Sequence, residues 1–229
     1  MKKQVPPPPE LLPWQVEALE AVAGSSLASE VVFGGGSALS AVHLHHRFSE
    51  DLDFFLQREV DALDLRPIVE VLAGQGWTLD IRTLRPLVSL VLSRSGQEAG
   101  KIGFAHYPFE PIEPPSRWRG LAAESMLDTA VNKVQAVLTR FQPRDFVDLF
   151  FLLSAGRDDI RLDRLLDLVR AKFDVGAHRL GLAERLLLVR DITQLPRLLR
   201  PLTLDAMTRF FEEEARNLVR EDRARGDDP

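Results

Sequence analysis

No cysteine occurs among the 229 residues. Disulfides, thiolate nucleophiles, zinc ribbons and iron–sulfur clusters are thereby excluded. Basic charge is not in excess: 29 lysines and arginines face 34 aspartates and glutamates, and the net charge of −5 excludes a strongly basic surface for non-specific nucleic-acid binding. Lysine is scarce. Lys2, Lys3, Lys101, Lys133 and Lys172 are the whole set, so an interior lysine draws attention. No apolar run approaches the roughly 18–20 residues that a membrane span needs. Pro6 to Pro9 stand where the apolar part of a signal peptide would follow Lys2 and Lys3. A cytoplasmic protein with no membrane partner is expected. Hydrophobic residues at 45% and charged residues at 28% suit a globular chain of one large domain or two small ones.

What is present falls into two halves. Residues 1–9 read as a proline-rich arm with no packing of its own. Apolar spacing predicts a helix over 10–22, a short buried strand at Glu30–Phe33 ending in Gly34-Gly35-Gly36-Ser37, and a helix over 38–46. A strand at Leu52–Leu56, a helix over 65–73 and strands at 77–84, 87–92 and 101–107 follow, with Ser95-Gly96 as a hairpin loop. Pro108, Pro111, Pro114 and Pro115 form the clearest linker. Helices are expected beyond it at 122–141, 144–154, 162–172, 178–189, 195–199 and 204–223, with a charged tail that frays. The expectation is an α/β domain over 1–115 and a helical domain over 116–229, with no internal repeat.

Chemistry concentrates in a few residues. On a strand, Asp51 and Asp53 share one face while Leu52 points to the other. Two carboxylates that close repel unless a cation lies between them, and hard oxygen donors suit Mg²⁺, which carries phosphate substrates. The preceding glycine turn lets backbone N–H groups approach phosphate oxygens, and Ser37 can cap a helix there or donate to a phosphate. Ser49, two residues before Asp51, is a secondary phosphate contact. His43 and His46 could share a helix face, but no further ligand cluster accompanies them. Trp14, Trp77 and Trp118 are expected to pack in or beside the core. In the second half, Met126, Ala130, Val134, Val137 and Phe141 mark a buried helix side, with Lys133 at its boundary, where a lysine can snorkel to water. Pro143 can start the next helix. At 1.5 Å per residue, Lys133 and Asp148 lie at similar heights of a helix hairpin, within lysine reach.

Gly35-Gly36-Ser37-Ala38-Leu39 and the run from Arg47 to Phe55 together resemble the first motif of the nucleotidyltransferases of the AbiEii/AbiGii toxin family, within the DNA polymerase β-like nucleotidyltransferase superfamily. Lys133, Ala136 and Arg140, then Arg144-Asp145-Phe146-Val147-Asp148-Leu149, resemble that family's second signature. The resemblance covers residues 10–155, with only a similar helical character beyond 160. It implies a polymerase β-like mixed sheet with flanking helices, followed by a helical bundle. It further implies a Mg²⁺-dependent transfer from a nucleoside triphosphate to an acceptor hydroxyl, with RNA such as tRNA as acceptor, by the toxin of a toxin–antitoxin pair with a cognate antitoxin. By the same resemblance Asp51 and Asp53 hold the metal and act in catalysis with Lys133 and Asp148. Gly35, Gly36, Ser37, Ser49, Arg144 and Asp145 contact the nucleotide. Each half carries what the other lacks, and both are expected to serve one active site. One departure stands out: such enzymes commonly take a third carboxylate from a later strand, and Gly103 occupies that position. Asp80 and Asp148 are the substitutes the sequence offers. This departure sustains the alternative of a non-catalytic nucleotide-binding or interaction protein on the same fold.

Overall fold

The structure is a computed structural model, and it describes residues 9–225. Nearly all of the proline-rich arm, Lys2 and Lys3 included, and the chain end after Arg225 lie outside the described residues. The chain divides into two compact units, Met1–Ser125 and Met126–Pro229.

The first unit is built on a seven-stranded mixed sheet. Its strands are β1 (Val32–Gly34), β2 (Asp51–Leu56), β3 (Thr78–Leu84), β4 (Leu87–Arg94), β5 (Gln97–His106), β6 (Ser116–Trp118) and β7 (Leu121–Ala123), in the order β3-β4-β5-β2-β1-β7-β6. The β2–β5 and β1–β7 pairs are parallel and the other neighbours antiparallel. Strand β2 lies inside the sheet and alternates as its sequence demands. Leu52, Phe54 and Leu56 are buried, while Asp51, Asp53 and Phe55 are half-buried on the other face. On the apolar face Phe104, Phe54 and Phe33 form one row, with ring centroids 5.3 and 5.6 Å apart. Helices α1 (Pro13–Ala23) and α3 (Arg66–Gly74) add Trp14, Ala18, Val22, Ile68 and Leu72 to that core. Burying a Phe or Leu side chain stabilises by about 1.5–3 kcal/mol, so this row anchors the strand that carries both acids. Trp14 and Trp77 are buried as expected, and Trp118 stacks on Phe33 at 5.4 Å.

Strands β6 and β7 were not expected from the sequence. They bring residues 116–123 back to the sheet, so the proline-rich segment 108–115 lies within this unit and the division falls ten residues after the expected boundary. Their connection, Arg119-Gly120, has φ of 46° and 86° at its two central residues, the twist a two-residue hairpin needs.

The second unit contains α4 (Met126–Thr139), α5 (Pro143–Leu153), α6 (Leu162–Phe173), α7 (Arg179–Leu187) and α8 (Leu204–Arg225). Pro143 occupies the first turn of α5, where a missing N–H costs nothing. Phe146 packs edge-on against Phe211 of α8 at 5.6 Å, and Val134, Val137, Leu149, Leu166 and Leu186 complete the core. The helix expected over 195–199 does not form. Pro196 lies within it and Pro201 two residues beyond it, which leaves too few residues between them for a helical turn to make its hydrogen bonds, and the segment runs irregularly. Among the described residues no helix is long and apolar enough to cross a membrane.

Candidate active site

Sheet register places the acid pair. Asp53 of β2 lies opposite Gly34 of β1 and beside Gly103 of β5, so both neighbours in its row are glycines. Asp51 lies beside Lys101, whose Nζ is 3.6 Å from Asp51 Oδ2. Both carboxylates project from the face away from the aromatic row, and each is half-buried. Two hard oxygen donors on one strand face have the chemistry that Mg²⁺ takes, with substrate phosphates and water completing its shell. Among the described residues no group of three or more His, Asp or Glu gathers for a metal, so protein donors alone make no closed cage.

The glycine turn abuts the acids directly. After Gly34 the chain turns at Gly35, with φ of 66°, into α2 (Gly35–Ala38), which continues as a π-helical stretch to Leu44. A Cβ on Gly35 would overlap the Asp53 carboxylate. Left-handed φ and lack of room both require glycine there. Ser37 does not cap this helix. It lies inside it, buried, and its hydroxyl donates to the backbone carbonyl of Asp51, tying the helix to β2. Ser49 is buried, and its carbonyl accepts from Gln15 Nε2 at 2.8 Å, which ties the loop before β2 to α1.

Arg47 belongs to the same constellation although sequence reasoning gave it no role. Its guanidinium lies where a Cβ on Gly36 would have to go, and Ser49 Oγ is 3.3 Å from that point. The signal was available: Arg47 opens the Arg-Phe-Ser-Glu-Asp-Leu-Asp run. Nothing in the spacing of that run tells that the side chain folds back eleven residues onto Gly36.

The third-acid position reads differently in three dimensions. Gly103 stands beside Asp53, as expected, and a Cβ there would sit 3.4 Å from Asp53 Oδ1. Asp80 does not replace it. Asp80 is on the edge strand β3, three strands from β2, or about 14 Å at the usual strand spacing. It pairs with Arg82 at 2.8 Å, and both side chains are exposed.

In the helical unit the predicted residues meet closely. Lys133 Nζ of α4 is 2.8 Å from Asp145 Oδ1 and 2.7 Å from Asp148 Oδ2 of α5. Arg140 reaches Asp145 through Nε at 2.7 Å and Nη2 at 3.1 Å. Lys133 is therefore no boundary lysine: its side chain is only 9% exposed, and both aspartates are fully buried. Burial by itself would raise the Asp145 pKa. The Lys133 charge and the hydrogen bonds from Arg140 and Lys133 outweigh burial and hold it below the ordinary 3.8. Arg144, at the start of α5, is half-buried. A second buried pair joins Lys172 Nζ to Asp128 Oδ1 at 2.6 Å.

The neighbouring histidines at 43, 45 and 46 diverge. His43 donates from Nε2 to the Glu124 carbonyl at 2.8 Å, and His45 Nδ1 pairs with Glu10 Oε1 at 2.9 Å. His46 is buried.

A family model described as the nucleotidyl transferase AbiEii toxin of type IV TA systems matches residues 17–226. The chain belongs to this family. As an AbiEii member it is a nucleotidyltransferase, and the match runs on through the helical unit, where the sequence alone showed only similar helical character. An uncharacterized protein of Aquifex aeolicus is 28% identical over 163 residues, covering 69% of this chain and 74% of that protein. The crystal structure of a candidate nucleotidyltransferase from Helicobacter pylori aligns with a TM-score of 0.61 at 18% identity, covering 90% of this chain and 92% of that one. JHP933 from Helicobacter pylori aligns with a TM-score of 0.58 at 17% identity, covering 93% and 91%. These two likenesses establish the fold: a mixed sheet with flanking helices followed by a helical unit.

Proposed function

We propose that this AbiEii member transfers a nucleotidyl group from a nucleoside triphosphate to an acceptor hydroxyl, with Mg²⁺ as the metal and an RNA such as tRNA as the acceptor. The observation that carries the reading is the contact of Asp53 with the Gly35 turn: a carboxylate suited to a metal and a glycine turn suited to a phosphate lie within one van der Waals layer. The acceptor hydroxyl oxygen attacks the α-phosphorus and gives up its proton to solvent, the bond to the bridging oxygen breaks, and pyrophosphate departs with the electron pair. Asp51 and Asp53 would hold Mg²⁺, which offsets phosphate charge when bound. Backbone N–H groups at Gly35 and Gly36 would donate to the phosphates and Ser49 would add a hydroxyl, while Ser37 keeps the turn against β2.

Lys133, Asp148, Arg144 and Asp145 are proposed to serve the same reaction. Both oxygens of Asp145 are engaged, and Asp148 holds the Lys133 ammonium, so these aspartates support Lys133 rather than meet the nucleotide. Lys133 would offset charge on the departing pyrophosphate. A toxic outcome restrained by an antitoxin, in the cytoplasm, fits the family.

Pyrophosphate release from each nucleoside triphosphate, with and without cellular RNA, tests the proposal. Release that stops with EDTA and with Asp53→Asn is expected. Nucleotide binding without release would favour the non-catalytic alternative that Gly103 motivates. Release indifferent to both changes would overturn the two-acid site.

A further inference from the structure

We propose that β3 is a pairing edge for a second copy of this chain, laid antiparallel about a two-fold axis at Ile81, so that two sheets run on as one. Nothing in this pairing depends on the nucleotide reading above. Strand β3 ends the sheet, with β4 on one side and, among the described residues, no strand on the other. An edge strand turns alternate N–H and C=O groups away from its neighbour, where they are a template for another strand. In a two-residue hairpin the closing pair exchanges hydrogen bonds. That pair is Leu84–Leu87, across Arg85-Pro86, so alternation sends the N–H and C=O groups of Leu79, Ile81 and Thr83 outward. The edge is seven residues long, free of proline, and paired with β4 without a register shift. Natural sheets usually shorten, bend or cover an edge of this kind. Here every residue but Leu79 is exposed, Leu84 to 77% and Ile81 to 39%.

Charge selects the occupant. Asp80 and Arg82 flank Ile81 and pair with each other at 2.8 Å, on the strand face opposite to it. Charges of one sign at these two positions would repel a copy of themselves. One of each sign, placed symmetrically about Ile81, has the reverse effect. Under the two-fold axis residue 80 of each copy lies opposite residue 82 of the other, so Asp80 meets Arg82 twice. Ile81 then meets Ile81, and Leu79 meets Thr83, so the outward backbone groups of all three residues find partners. Ile81 and Leu79 stand on the same face as their β4 neighbours Leu90 and Leu92, which are wholly buried in the core. The pairing therefore continues the apolar layer of the sheet into the second copy. A strand of a different protein would need this order of charges by coincidence, whereas a second copy carries it by symmetry.

One strand pair makes a small interface, below about 1,200 Å², so the dimer is expected to be weak and to dissociate on dilution. Sedimentation equilibrium of the full chain over about 1 to 500 μM should carry the mean mass from one chain toward two. Asp80→Arg sets arginine against arginine across the axis, and Arg82→Asp sets aspartate against aspartate. Each change should weaken self-association at least about tenfold. An equimolar mixture of the two variants restores both ion pairs between unlike chains, and should form a one-to-one dimer within about threefold of the original affinity. Amide exchange over residues 79–83 should slow as concentration rises. Ile81→Pro removes one outward N–H without touching the pairing to β4, and should keep the chain single. A wild-type chain that stays single at the highest concentration overturns the proposal; the edge is then guarded by its ion pair or kept for a strand of another protein. A dimer indifferent to both charge changes, or one whose exchange does not slow over 79–83, overturns it as well. So does a mixture of folded charge variants that fails to associate. Should either charge variant not fold, Ile81→Pro decides: loss of the dimer in a folded protein supports the pairing, and an undiminished dimer refutes it.

Discussion

Asp53 and Lys133 invite opposite experiments, because one is half-exposed on a strand face and the other is enclosed by its partners. Asp53→Asn removes one charge and almost no volume, so the fold is expected to survive while pyrophosphate release falls at least about a hundredfold, the scale at which single charge-stabilising groups act. Lys133→Ala leaves two buried carboxylates without their ammonium, and breaking a buried pair in this way costs about 3–5 kcal/mol. A urea midpoint should record that loss, and inactivity of this variant alone would say nothing about catalysis. Acid sensitivity belongs to the same cluster. The folded pKa of Asp145 lies below its ordinary 3.8, so folding favours the charged form. The stability it contributes is fully present above that ordinary value and is lost as pH falls through the lower folded value. Replacing it, as in Asp145→Asn, should flatten the acid limb of a urea-midpoint curve below about pH 4. Strand alternation made the shared face of Asp51 and Asp53 legible in the sequence. Helical rise made the Lys133–Asp148 pairing legible. The Arg47–Gly36 contact was not legible, because a loop of irregular backbone carries the arginine to its place and no periodicity describes such a path. Nor could spacing tell that Lys133 is enclosed: Asp145, itself held by Arg140, joins Asp148 against it from the first turn of α5, beside a junction that pattern reading treats as a turn.

Among the elements, the two-residue turns and the glycine turn show how far local rules reach. Ser95-Gly96 was readable as a hairpin because Ser-Gly marks turns and Gly96 takes positive φ freely; the two residues have φ of 54° and 78°. Arg119-Gly120 has the same geometry, but arginine is an uncommon choice for the first position, and strands of three residues on either side are too short to alternate visibly. Ser95 is exposed and asparagine suits left-handed backbone better, so Ser95→Asn should raise stability by about 0.5 kcal/mol without altering transfer. A small upward shift of the melting temperature checks it. Gly35→Ala tests the opposite case. It forces a Cβ into the Asp53 carboxylate at a φ that costs about 1–2 kcal/mol for a residue with a side chain. Both melting temperature and pyrophosphate release should fall. The irregular stretch at 195–199 has a related lesson. Its leucines kept a helical spacing, but the prolines at 196 and 201 govern the backbone.

Charge divides unevenly between the two units of the chain. The sheet unit holds 16 acidic against 11 basic residues, whereas the helical unit holds 18 of each. A triphosphate approaching the more acidic unit is repelled unless its own charge is offset, so Mg²⁺ and nucleotide should bind together and each poorly alone. Thermal unfolding measures this: nucleotide with Mg²⁺ should raise the melting temperature according to its affinity, and EDTA should erase the rise. Scarcity of lysine supplies a further handle. Among the described residues Lys133 and Lys172 have side chains only 9% and 4% exposed, whereas that of Lys101 is 39% exposed and stands beside Asp51. An amine-directed acylating reagent, mapped by peptide mass spectrometry, therefore meets one accessible lysine in the described part of the folded chain. Its modification reports on the acid pair, because a cation taken up by Asp51 releases Lys101 from its partner, while modification of Lys133 and Lys172 marks molecules that have opened.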